Sequence, residues 1–168
     1  MRSGPRHRCF KEVLLSDGPA TDRAGKLALY GRFIGSWSMT SVIHPDAGGQ
    51  FKGPDGEIHF AWTLEGKAIQ DVWVLPQVFY GTTLRVYDPG IDAWHILWSD
   101  PMRQVYTRQI GRAEDDDIVQ IGDDGKGTRL RWRFTEITPK SFHWTGERAA
   151  GAENDWSKQI EMFARRVA

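Results

Sequence analysis

The chain has 168 residues, a formal net charge of zero, and 40% hydrophobic and 26% charged residues. That length suits one soluble domain with room for a core or an enclosed cavity. Zero net charge argues against electrostatic binding to nucleic acid or an anionic membrane, and the single cysteine excludes an internal disulfide and a cysteine-based zinc site.

Residues 1–20 predict a basic N-terminal tail, and residues 21–168 predict a single domain that opens with a short helix. Thr21 or Asp22 provides the helix cap, and Leu27, Ala28 and Tyr30 give the helix a partial apolar face. The glycines that follow end it, and a strand containing Trp37 begins.

Strands and turns then alternate to the end of the chain. After a Gly- and Pro-rich loop at 45–56, each break contains turn-forming Gly, Pro or Asp. With the strand of Trp37, which runs to about residue 44, the predicted strands are 57–65, 68–75, 79–88, 93–99, 103–112, 117–122, 128–137, 140–149 and 156–166. Ten strands joined by short loops should pair antiparallel, and closure removes two exposed edges. We therefore predict an all-β, closed up-and-down barrel of about ten strands with a short N-terminal helix.

Alternation along six of these strands places tryptophans on one face and mostly polar residues on the other. The predicted inner face carries Phe60, Trp62, Leu64, Ile69, Asp71, Trp73, Leu75, Trp94, Ile96, Trp98, Leu130, Trp132, Phe134, Phe142, Trp144, Trp156, Ile160 and Met162. Strands 79–88 and 103–112 alternate less clearly; there we place Arg85, Tyr87, Tyr106 and Arg108 inside. A β-bulge would reverse such an assignment.

Asp71 lies between Ile69 and Trp73 on the predicted inner face. A buried carboxylate must be paired, hydrogen-bonded or protonated, and Arg85 and Arg108 are its candidate partners. Two interpretations stay open: an internal ion pair that orders the barrel, or a polar anchor or general acid/base in an apolar cavity.

The sequence Gly35-Ser36-Trp37 after a short helix resembles the opening of the lipocalin (calycin) group. The stretches 57–62, 66–73, 82–89 and 162–166 are similar to bacterial lipocalin-like proteins of unassigned function. The resemblance covers about residues 20–167. It implies that Trp37 packs at the closed barrel end beside a late arginine, Arg165 or Arg166. Because the sequence shows no signal peptide and its single cysteine allows no internal disulfide, the resemblance favours a cytoplasmic protein over a secreted lipocalin.

The spacing of histidines, aspartates and arginines gives little support for metal, heme or nucleic-acid binding. The five histidines form no short metal-ligand spacing, and His59, His95 and His143 fall on the predicted outer face, which disfavours heme. The Asp-rich segments near 115 and 123 lack the calcium-loop pattern, and Trp132 alternates with the outward stripe Arg129, Arg131 and Arg133. We expect no metal, cofactor, nucleic acid or membrane partner, and the sequence does not address oligomerisation.

Three hypotheses for function remain. The first is a small-molecule-binding barrel for an aromatic, polyketide-like or terpenoid ligand, because indole faces favour flat surfaces. Its predicted ligand-binding residues are Trp62, Trp73, Trp94, Trp98, Tyr106, Arg108, Trp132 and Trp144. The second is a cofactor-free isomerase, cyclase or dehydratase in which Asp71 is acid or base and Arg85 or Tyr87 stabilises negative charge. The third is a structural or partner-binding barrel with a filled core.

Overall fold

The computed structural model describes residues 7–151 and 155–167. The first six residues of the predicted tail and most of the predicted turn at 151–155 lie outside that range. Helix α1 spans Phe10–Leu14, a 3₁₀ turn spans Thr21–Arg23, and helix α2 spans Ala24–Gly31. The helix predicted after residue 20 is confirmed; it buries Leu27 and Tyr30 and leaves Ala28 exposed.

Eleven strands follow, and their bounds lie close to the predicted ones. They are β1 Gly35–Ile43, β2 Phe51–Lys52, β3 Gly56–Thr63, β4 Ala68–Leu75, β5 Phe79–Asp88, β6 Ala93–Asp100, β7 Val105–Glu114, β8 Asp117–Asp123, β9 Arg129–Thr135, β10 Ser141–Ala149 and β11 Trp156–Arg166. Only β2 was not predicted; it is a two-residue strand inside the Gly- and Pro-rich loop that pairs with the end of β1.

The sheet closes on itself through β1 and β11. Consecutive strands from β3 to β11 pair antiparallel, β1 pairs with β3 on one side, and its other side pairs with β11 from Trp37–Arg166 to Ile43–Ile160. The closed ten-stranded antiparallel barrel predicted from the turn spacing is confirmed. Because no edge strand remains in the ring, the barrel avoids the exposed backbone groups of an open sheet.

A bulge in β11 turns Trp156 away from the barrel interior. Gly146 pairs with Ile160 but Glu147 pairs with Lys158, so Gln159 is an extra residue on β11. One extra residue reverses which face the rest of the strand presents. Trp156 therefore lies over the outward guanidinium group of Arg131, 4.7 Å from the ring centroid, and its predicted inward orientation is wrong.

Helix α2 and its flanking residues close one end of the barrel. Trp37 is fully buried there, and its indole N–H donates to the Phe33 carbonyl at 2.7 Å. The Arg166 guanidinium lies 4.1 Å from the centre of the Trp37 ring. Its three nitrogens donate to the carbonyls of Ile34, Arg32 and Pro139 at 2.6, 2.7 and 2.8 Å. Of the two candidate arginines, Arg166 is the one that holds the closed end.

The Arg166→Met variant should be about 1.5–3 kcal/mol less stable, because it loses three charged hydrogen bonds, one of them to the part-buried Ile34 carbonyl, and the contact with the Trp37 ring. The free energy of urea unfolding measures this. Arg165→Met is the matched control, since Arg165 is exposed beside it. Equal stability of the two variants would show that the arginine does not hold the closed end.

Candidate functional site

A cavity of about 170 Å³ lies inside the other half of the barrel, at the end opposite α2. Four indoles form most of its wall: Trp73 from β4, Trp98 from β6, Trp132 from β9 and Trp144 from β10. Neighbouring indoles meet edge to face or tilted, with centroids 5.4–6.1 Å apart. That spacing is normal for packed aromatic rings, so the four form one continuous aromatic surface.

Two glycines let these indoles lie flat against the barrel wall. A Cβ at Gly81 would come within 2.5 Å of the Trp98 ring, and one at Gly146 within 2.8 Å of the Trp144 ring. Real Cβ contacts are longer, so any larger residue at these positions would push an indole toward the cavity. The absence of side chains at 81 and 146 thus leaves the space open.

Asp71 and Arg85 form an ion pair on the barrel interior. Asp71 Oδ2 lies 2.7 Å from Arg85 Nη2, and the two side chains are 0% and 1% exposed. Asp71 Oδ1 accepts the Thr83 backbone N–H at 3.1 Å. Burial raises the pKa of Asp71 above its ordinary value, and the positive charge of Arg85 opposes that rise. Of the two candidate partners for Asp71, Arg85 is the one in contact.

Arg85 lies between the filled half of the barrel and the cavity. On the helix side its guanidinium carbon is 5.1 Å from the centre of the Tyr30 ring and 5.7 Å from the centres of Phe60 and Phe134. On the other side Arg85 forms part of the cavity lining together with Thr83. Aromatic faces attract a desolvated cation, so these rings help to hold the charge in an otherwise apolar interior.

Three predicted site residues lie at the closed end rather than at the cavity. The Trp62 indole packs against Gly31 of α2, and Trp94 meets the Tyr30 ring at 4.8 Å. Tyr87 donates its hydroxyl hydrogen to Asp92 at 2.6 Å in the turn beside α2. Their inward orientation is confirmed, yet none of the three lines the cavity.

The predicted inward orientation of Tyr106 and Arg108 is wrong. Tyr106 is 53% exposed, and Arg108 is exposed and contacts His95 on the outer face. The buried face of β7 carries Thr107 and Gln109 instead. Because polar side chains occupy the inner face of this strand, a rule that places apolar and aromatic residues inside chooses the wrong face. Leu64, also predicted inward, follows the end of β3 and is exposed.

The histidines lie outside the barrel. His59 contacts Ser36, His95 contacts Asp88, and His143 stacks on Phe163 at 4.4 Å. Within residues 7–151 and 155–167, no group of three or more His, Cys, Asp and Glu side chains is arranged to hold a metal ion. No helix in the described part of the chain is long and apolar enough to cross a membrane.

Known structures match the whole barrel. Rv2717c from M. tuberculosis aligns over 86% of this chain and 99% of its own, with 14% identity and a TM-score of 0.58. The S-type phycobiliprotein lyase CPES from Guillardia theta aligns over 89% and 99%, with 15% identity and a TM-score of 0.59. The chain therefore has the lipocalin-like closed-barrel fold, and the likeness is one of fold alone. No protein-family model and no curated protein matches the chain.

Several cavity residues were not among the predicted site residues. Thr83 and Thr107 line the interior, and Phe79 and Arg103 lie near the end where the cavity opens. Thr83 shares a face with Arg85, so strand alternation could have identified it. Arg103 lies in the turn before β7, where alternation gives no orientation.

Replacing Arg85 alone by Met should destabilise the barrel by about 3–5 kcal/mol, because Asp71 is left buried without its partner. Its folded-state pKa then rises further, so the stability of the variant should fall as the pH rises above about 3.9, the ordinary pKa of Asp. Urea unfolding across this pH range measures both effects.

The double variant Asp71→Asn with Arg85→Met carries no buried charge, so it should recover part of the stability and lose the pH slope. Arg108→Met on the outer face is the control and should change little. If the free energy of unfolding of the double variant changed with pH as steeply as that of Arg85→Met, the pH dependence would not come from Asp71.

Proposed function

We propose that the barrel binds a small, flat, largely apolar molecule between Trp73, Trp98, Trp132 and Trp144. The observation that carries the proposal is an open cavity whose wall is built from four indoles in mutual contact. Ligand sites are concave, mostly apolar and supplied with a few polar groups that fix orientation. This cavity has that composition, with Arg85, Thr83 and Thr107 as its buried polar groups.

The cavity volume limits the size of the ligand. An engineered protein cavity of about 150 Å³ binds benzene, so a cavity of about 170 Å³ that opens to solvent suits one ring or two fused rings. Among the predicted ligand classes, this favours a compact aromatic molecule or the ring end of a polyketide-like molecule. The predicted cytoplasmic location stays a prediction.

The geometry supports binding better than the two other hypotheses. An acid or base must reach the reacting group, but Asp71 is fully buried, engaged by Arg85 and Thr83, and not part of the cavity lining. A filled core is present only in the half of the barrel next to α2. We therefore place binding first and a catalytic role for Asp71 second.

Naphthalene added to ¹⁵N-labelled protein should shift the indole N–H signals of Trp73, Trp98, Trp132 and Trp144. The signals of the other four tryptophans should move much less, because those rings lie at the closed end or on the outer face. Titration by NMR, with signals assigned from Trp→Phe variants, measures this.

A matched pair of variants sharpens the test. Trp132→Leu removes part of the cavity wall and should weaken naphthalene binding by about tenfold, since an aromatic contact and its buried area are lost. Trp156→Leu changes a half-buried indole outside the barrel and should leave binding unchanged. No shift of the four cavity indoles at saturating naphthalene would refute the proposed function.

A further inference from the structure

Arg85 is a buried cation in the cavity lining, and the protein leaves two of its hydrogen-bond donors unused. The side chain is 1% exposed and lines the cavity, and only its Nη2 pairs with Asp71. Its Nε and Nη1 have no hydrogen-bond partner among the described residues. A buried donor without a partner has lost its hydrogen bonds to water and gained none in return, and the cost is larger when the group is charged. A ligand group that accepts these hydrogens would remove that cost.

One further polar group of the lining is free. The hydroxyl of Thr107 is buried there without a partner in the described chain, whereas the indole N–H of Trp73 interacts with the Asp71 carboxylate and lowers its pKa. Guanidinium and indole nitrogens have no acceptor capacity. The buried end of the cavity therefore suits a hydrogen-bond acceptor and opposes a cation.

Charged side chains near the cavity opening also favour a hydrogen-bond acceptor over a cation. Glu147 lines the cavity, but Arg131 neutralises it through two hydrogen bonds of 2.6 and 3.0 Å. Arg103 also lines the cavity at its exposed end, where its backbone N–H donates to the buried carboxylate of Asp100 at 3.2 Å. Among the charged side chains of the lining itself, Arg85 and Arg103 are positive and Glu147 is negative.

We infer that the ligand is a planar aromatic anion, such as an aryl carboxylate or an enolate, with its oxygens on Arg85 and its ring between the indoles. This inference rests on the proposed function and adds the charge and orientation of the ligand. Hydrogen bonds from an arginine to a carboxylate are charge-assisted and among the stronger ones. Asp71 occupies Nη2, the nitrogen that both forks of the guanidinium share, so Nε and Nη1 each offer a single hydrogen bond to a ligand oxygen.

The test compares three probes of similar shape by isothermal titration calorimetry: 2-naphthoate, 2-naphthamide and 2-naphthylmethylammonium. We expect naphthoate to bind at least about tenfold more tightly than naphthamide, because hydrogen bonds to charged groups are the stronger ones. The ammonium compound should bind more weakly than both. Equal binding of naphthoate and naphthamide, with naphthalene also binding, would overturn the inference and leave the proposed function intact.

The charge-free double variant Asp71→Asn with Arg85→Met assigns the preference to Arg85. The measured quantity is the ratio of the naphthoate and naphthamide affinities within the same protein, and the double variant should bind the two probes with equal affinity. Arg108→Met on the outer face should retain the preference in full. Failure of every naphthalene compound to bind the wild-type protein would refute the proposed function itself, and a preference that survives in the double variant would exclude Arg85 as the anion site.

Discussion

The buried pair of Asp71 and Arg85 is the constraint on which the interior of this barrel depends. Removing two charges from water costs several kcal/mol per ion, and their attraction offsets this only with good geometry and further hydrogen bonds. Here the pair has a 2.7 Å contact, the Thr83 N–H on the carboxylate, and the aromatic rings of Tyr30, Phe60 and Phe134 around the guanidinium. Those rings fill the barrel on one side of Arg85, and on the other side Arg85 forms part of the cavity lining.

Turn chemistry and alternation predicted the fold, because Gly, Pro and Asp mark nearly every strand end and closure is the simplest way to remove two edges. The same reasoning predicts the orientation of most strands, but it assumes uninterrupted alternation and an apolar inner face. Trp156 follows a β-bulge, which breaks the alternation and which no residue type in β11 indicates. Tyr106 and Arg108 lie opposite an inner face that is itself polar.

Alternation determines which face a residue occupies but not how deep it lies along the barrel. Alternation places Trp62, Trp94 and Tyr87 in the interior, and all three lie there, yet they pack against α2 and its turns rather than around the cavity. Depth depends on strand stagger and on where the helix closes the barrel, and neither is encoded in a local pattern. Asp71 and Arg85 were found because a charge between apolar neighbours needs a partner wherever it lies.

The four indoles enclose open space on one side of Arg85, while the half of the barrel next to α2 is filled. A crystal structure under xenon pressure tests this arrangement directly, because xenon enters apolar protein cavities of this size. We expect a xenon site bounded by Trp73, Trp98, Trp132 and Trp144. Xenon bound only between α2 and the closed end, or no xenon inside the barrel, would contradict it.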